Sequence, residues 1–548
     1  MKKSLLFFLA IVLFGCTQQK PIEQKDRPKT YEQLTQFFFD WRKFQAPEIK
    51  DGVPDYSKVA MSKQHQDLSN WKEKLNAFDT VGWPIKHKID WYLIWAEMNG
   101  LDFDHRVIRP WERDPAFYVW FYTEQSDVPE REGPNAYGAI ELHRYPNPLT
   151  DSAAADLKQR LTKAKTIFEQ AKVNLTGKAK DLWVLGTRSI REQSGELASF
   201  AAKLGDNFPD LVNALNEAKS ASDEFAIWLD SQASTKTEKS GIGKKNYDWY
   251  THNVHLSPYG WNEEKLLLER ELMRSHSALR FAEHRNRDIP KLQKPTDAAS
   301  YKKYISDGND EFMKFLETDS FMTVKPYMTP AIKAIVRDYY EPDANGLRGF
   351  FDEVDYRDPM PMRAHFFHWI DKEREIQEPV ESPIRQVPLL YNIFDSRAEG
   401  FATAMEELVM NEGLLKNRPR ATELVYIMLA QRCARGLGGL YQNNNKMNFD
   451  EATRYASKWV PWGLMPAGGG TIQHEEHFYI QQPGYGSSYV TGKLDIDRLI
   501  AEYARQREGK FKLKSFMGEF NNVGIIPTSL VYWQMTGSRQ LLDEALGR

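Results

Sequence analysis

Apolar residues recur at intervals of four and three along much of this chain, and that spacing commits it to helices. Leu157, Leu161, Ala164, Phe168, Ala171 and Leu175 follow it as one amphipathic helix, and Leu211, Leu215, Ala218, Phe225 and Leu229 follow it as another. A stripe of this kind must be covered by a neighbouring element. The pattern predicts a mainly α, multi-helix fold with a central cleft. Short β-like runs such as Ala116 to Tyr122 are expected to add a small sheet beside that cleft. With 548 residues, the chain can bury enough surface for two lobes. Ser231 to Lys245 reads SQASTKTEKSGIGKK, polar and without periodicity, and suggests a boundary between an N-terminal lobe (31–240) and a C-terminal lobe (246–548).

The first residues read as an export signal. Lys2 and Lys3 precede an apolar run from Leu5 to Phe14, about half the length of a membrane span. Leu13-Phe14-Gly15-Cys16 is a lipobox-like ending, which predicts a lipoprotein signal over 1–16, lipid on Cys16 and a polar tether over 17–30. The expected location is the cell envelope at the outer membrane, with membrane contact through the lipid alone and the globule a monomer. With Cys16 acylated, only Cys433 remains, and no intramolecular disulfide can form. Its apolar helical surroundings predict a buried, inert thiol. A net charge of −3 and the lack of a long basic run argue against nucleic acid as a partner. Fifteen tryptophans and 25 tyrosines offer the rings that line sugar- and peptide-binding clefts.

Four groups of residues carry possible chemistry. His365 and His368, three apart, are expected to share a helix face, as metal ligands, as acid and base, or as buried structural residues beside Trp369. Glu399 and Glu406, seven apart, share a face of a second helix. Small neighbours Ala398, Gly400 and Ala402 favour close packing and burial of Glu399, which then needs a partner. Arg432 and Arg435 suit either a substrate carboxylate or these two glutamates. His474-Glu475-Glu476-His477 has its histidines too close for the HExxH zinc spacing. A glycine-rich, loop-like turn follows and carries Tyr485 and Tyr489.

From about Arg397 to Trp533 the chain resembles the bacterial family called domain of unknown function 885. That resemblance rests on Glu399-Gly400-Phe401-Ala402-Thr403-Ala404-Met405-Glu406 against EGWAxYxE, and on Pro483-Gly484-Tyr485-Gly486-Ser487-Ser488-Tyr489-Val490-Thr491-Gly492 against PGQxxSYxxG. Phe511 to Phe516 followed by Gly524 to Pro527 also fits. The resemblance implies a gluzincin-like helical fold and a zinc peptidase pocket. The family's HExxPGHH is met only by Pro359-Met360-Pro361-Met362-Arg363-Ala364-His365-Phe366, so the leading histidine and catalytic glutamate are replaced. Its DTGxH is replaced as well, with Gly439 and Asn443 at the key positions. A zinc hydrolase needs about three ligands and a base. Here His365 and Glu399 carry over and His368 is a possible substitute, so no metal and no cofactor are expected.

A pocket keeping histidine, tyrosine, carboxylate and arginine but losing its water-activating set suits β-elimination. The expected activity is dehydration at the non-reducing-end uronic acid of anionic oligosaccharides such as ulvan fragments. In general character the chain is similar to the ulvan oligosaccharide dehydratases of marine Bacteroidetes. His365, Tyr489 and Glu399 are the expected catalytic residues, with His365 or Tyr489 removing the C5 proton. Arg363, His368, Arg435 and Tyr485 are expected to hold the substrate. The alternatives are an atypical zinc peptidase and a non-catalytic binding lipoprotein.

Overall fold

The computed structural model describes residues 28–318, 321–335, 338–343 and 346–548. The signal, Cys16 and most of the tether lie outside the described residues. The fold is mainly α, as the periodicity predicts. Sheet structure among the described residues amounts to two pairs of two-residue strands. Ile49–Lys50 pairs antiparallel with Val53–Pro54, and Phe121–Tyr122 pairs parallel with Ile140–Glu141. The β-like run from Ala116 to Tyr122 thus contributes only its last two residues to a strand, because Pro115–Tyr118 forms a 3-10 turn.

The predicted stripes face the core, although the first is split between two helices. Asp151–Leu161 and Ala164–Asn174 are separate, and both turn the same apolar register inward, so the periodicity runs on across the break. They pack against Pro209–Gln232, which in turn packs along Lys180–Leu204. This group of helices has its own core, running from Val53 to Leu229. The polar stretch from Ser231 enters as helix. The 209–232 helix ends at Gln232, a turn covers Ala233–Thr235, and the next helix starts at Lys244.

A second and larger core draws on the rest of the chain, and also on the early helix Ile85–Phe103 through Ile89, Leu93, Ala96 and Phe103. At its centre Asp395–Asn411 packs along Tyr485–Gln506, with Ala421–Asn443 beside both. Two glycines set that contact. A Cβ on Gly400 would lie 2.6 Å from Gly492 Cα, and one on Gly492 would lie 2.1 Å from the Ser396 carbonyl oxygen. Real side chains do not approach so closely, so both positions exclude even alanine without a shift of backbone.

The glycine-rich stretch from Gly484 to Gly492 is therefore not the loop its composition suggests. Only Gly484 turns, at φ +92°, and Tyr485 begins a long helix. Gly486 and Gly492 are there for helix contact. Composition alone does not separate a flexible glycine from a packing one.

Candidate active site

The site is built where these central helices meet an irregular segment, 123–139, from the N-terminal half. Helix Met360–His365 ends at Phe366 and helix Phe367–Gln377 begins there. The break prevents the two histidines from lying on one continuous helix face, as their spacing implies. Their rings stand nearly perpendicular, 88° apart, with centroids 5.1 Å apart.

Glu399 is buried and accepts two hydrogen bonds. His368 Nε2 lies 3.1 Å from its Oε2, and the Tyr485 hydroxyl donates to its Oε1 at 2.5 Å. Burial opposes a charge on His368, but Glu399 and then Asp127 outweigh it and push the imidazole up to about 9. Burial likewise opposes the Glu399 charge, yet His368 and Tyr485 hold that carboxyl below its usual range. At neutral pH the pair is an imidazolium and a carboxylate.

Two helical turns further on, Glu406 receives both ends of the Arg432 guanidinium, at 2.9 and 2.6 Å. The same guanidinium reaches His365 Nδ1 at 3.0 Å. A guanidinium only donates, so Nδ1 accepts in that bond, and the same nitrogen lies 3.3 Å from Glu406 Oε1. Burial pushes the Glu406 carboxyl up to about 7 despite Arg432.

Arg435 is paired with Glu475, whose other contact is the Tyr479 hydroxyl at 2.6 Å. The Arg435 guanidinium also lies over the Tyr489 ring, 4.3 Å from its centroid. Tyr489 itself stands edge to face with Tyr485, centroids 5.9 Å apart. No hydrogen bond to the Tyr489 hydroxyl is made among the described residues. Burial, reinforced by Glu399, holds that phenol protonated far above its usual range.

Spacing gave no sign of Asp127 and Glu132. Oxygens of Asp127, Glu132 and Glu399 all lie within 4.8 Å of one another, and Asp127 stands equally close to the ring nitrogens of His365 and His368. Glu132 accepts from Ser126 Oγ at 2.5 Å and from the Tyr485 hydroxyl at 3.3 Å. Burial first, and the neighbouring Asp127 second, push Glu132 up to about 7, and burial also raises Asp127. Three carboxyls this close cannot all be charged without a compensating cation or proton. The one available signal was the length of the acidic, proline- and glycine-containing segment 123–139, since long irregular segments often carry function.

The structure thus gathers His365, His368, Glu399, Arg435, Tyr485 and Tyr489 into one cluster. It does not bring in Arg363, whose guanidinium bonds to Asp355 at 2.9 Å and Asn309 at 3.2 Å and stacks on Phe366. Arg363 is a buried structural cation, held by a carboxylate on a different helix. The cluster is tightly enclosed. Exposures run from 1% for Arg435 to 7% for His365, and neither described cavity, of about 350 and 590 Å³, is lined by any of these six residues. Neither described cavity is the central cleft expected around them. Cys433, as expected, is buried, and burial raises its thiol well above the reactive range.

Two donor sets converge here. Asp127 with His365 and His368 offers two imidazole nitrogens and a carboxyl oxygen within 4.8 Å of one another, the ligand types that zinc takes once the imidazoles are neutral. The carboxyl oxygens of Asp127, Glu132 and Glu399 are donors better suited to a hard divalent cation.

The chain matches no known family profile, and no curated protein is similar to it. Solved structures share its fold, two of them lipoproteins by description. One is a candidate lipoprotein of unknown function from Shewanella oneidensis, with a TM-score of 0.64 and 15% identity, covering 92% of this chain and 99% of that one. The other is a candidate lipoprotein from Colwellia psychrerythraea, also with a TM-score of 0.64 and 15% identity, covering 94% and 98%. At that identity the likeness establishes the fold alone.

Proposed function

We propose that the protein is an envelope lipoprotein that catalyses β-elimination of water from a terminal uronic acid of anionic oligosaccharides such as ulvan fragments. The observation that carries this reading is the Tyr489 hydroxyl. It is held protonated, has no hydrogen-bond partner among the described residues, and stands in a cluster whose Glu132 carboxyl is poised near neutrality. A base poised near neutrality and a protonated group that can donate to the departing oxygen are what an elimination needs.

In this reading His368, as an imidazolium, faces the uronate carboxylate and makes the adjacent C5 proton more acidic. Glu132 as carboxylate takes that proton. The C4–O bond breaks, its electrons leave with oxygen, and a C4=C5 double bond forms. Tyr489 protonates the departing hydroxide to water and regains its proton from Glu132 through solvent. The roles differ from those that spacing suggested. His365 is engaged at Nδ1 by Arg432 and Glu406, while Arg435 is spent on Glu475 and on holding the Tyr489 ring. Glu399 fixes His368 and Tyr485.

Metal-stripped protein incubated with uronate-terminated oligosaccharides should develop the ultraviolet absorbance of a conjugated uronate, with loss of one water by mass spectrometry. No absorbance change with any such oligosaccharide sinks the reading. The lipoprotein part rests on the Leu13 to Cys16 lipobox and on the lipoprotein descriptions of the two fold relatives. Palmitate labelling that survives Cys16→Ala replacement would overturn it.

A second reading, a metal-dependent hydrolase of the domain of unknown function 885 type, is favoured by the convergence of Asp127, Glu132 and Glu399. It requires stoichiometric bound metal and peptide hydrolysis that a chelator abolishes. The elimination requires neither.

A further inference from the structure

The cavity of about 590 Å³ is walled by the two segments that also build the cluster. Gly133 and Asn135 line it from the segment that carries Glu132, and Gln482 and Pro483 line it from the turn that leads into Tyr485. Part of its lining is aromatic. Tyr56 and Trp111 stack at 11° with centroids 6.2 Å apart, and Tyr122 holds Asn135 through a 2.6 Å hydrogen bond. Such ring faces, with amides at their edges, are the usual lining of a sugar site.

Two polar groups in this lining are held by no ion pair among the described residues. The Asp104 carboxyl, at the start of the turn Asp104–Ile108, makes no side-chain hydrogen bond among the described residues, and burial raises its pKa to about 8, so it is protonated at neutral pH. A carboxyl in that position calls for hydroxyl partners. Arg160, also in the lining, donates only to neutral oxygens: Tyr145 at 2.9 Å and the carbonyls of Gly138 at 2.9 Å and Ala139 at 3.1 Å. The Asp156 carboxylate reaches it only through the shared Tyr145 hydroxyl.

We propose that this cavity is a binding subsite for the sugars of an acidic oligosaccharide beyond the one that reacts, with Asp104 bonding their hydroxyls and Arg160 facing an acidic substituent. The inference deepens the uronate-elimination reading and rests on it. Gln482 and Pro483 in its wall lead directly into Tyr485, which ties the cavity to the cluster.

The test uses calorimetric binding to the catalytically silent Tyr489→Phe protein, with uronate-terminated disaccharide and tetrasaccharide as probes. Adding Asp104→Ala should weaken the tetrasaccharide by about tenfold, the effect of one lost hydrogen bond, and leave the disaccharide unchanged. Arg160→Gln should weaken the tetrasaccharide more at low salt than at high salt. Equal affinity of both variants and the parent for the tetrasaccharide overturns the subsite, even where the unsubstituted protein eliminates water. Cavity-dependent binding with no elimination by the unsubstituted protein keeps the subsite and overturns the elimination. Absence of binding by either probe overturns the subsite.

Discussion

His368 donates through Nε2 to Glu399 at 3.1 Å, and this buried ion pair sets the charge of the whole cluster. Tyr485 completes the acceptor sites of Glu399, and Asp127 adds its field to the imidazolium. The histidine therefore acts as a fixed cation rather than as a base.

The pair makes stability depend on pH in a defined window. The His368 imidazole moves from 6.5 in the unfolded chain to about 9 in the fold. Its contribution is complete below pH 6.5 and is lost as pH rises through 9. The melting temperature should fall across that interval, and His368→Gln should flatten the fall. Parallel curves for the two proteins would refute the assignment.

Activity should follow a bell. The acidic limb reports deprotonation of Glu132 near pH 7, and the basic limb reports loss of the His368 proton near pH 9. Glu132→Gln should remove the acidic limb along with most turnover, as read from kcat against pH.

Tyr489→Phe should separate chemistry from folding. No hydrogen bond within the described residues is lost, so stability should change by less than about 0.5 kcal/mol. Turnover should fall by about 10²- to 10⁴-fold, the usual worth of a positioned general acid. A variant with normal melting and normal kcat would remove Tyr489 from the mechanism.

Glu406 and Arg432 form a buried bidentate pair, and breaking it on one side leaves a charge stranded. Glu406→Ala should cost about 3 to 5 kcal/mol by denaturant unfolding. Adding Arg432→Met should recover a large part of that loss, because it removes the uncompensated guanidinium.

The glycines give a contrast between two helices. Gly492→Ala puts a methyl 2.1 Å from the Ser396 carbonyl and should destabilise by at least about 1 to 3 kcal/mol. Gly518, in the helix Leu513–Val523, has nothing within 4 Å of the added carbon. Gly518→Ala should stabilise by about 0.4 to 1 kcal/mol. Thermal melts of the two variants should shift in opposite directions.

By itself the sequence determined that the chain would be mainly helical, and which apolar stripes would be covered, because a 3.6-residue period is a local property. Leu215 and Phe225 are fully buried where their spacing places them. It also determined that Glu399 would be buried and partnered, since small neighbours such as Gly400 announce a close helix contact. Tertiary structure alone decided which partner each charge received. Arg363 and Arg435 look alike in sequence, yet one is bound by Asp355 and Asn309 and the other lies over Tyr489 beside Glu475. Asp127 and Glu132 enter the site from more than 200 residues away in sequence, on an irregular segment with no period to read. Ion pairs and carboxyl clusters depend on distances of a few ångströms between remote parts of the chain, and only packing fixes those distances.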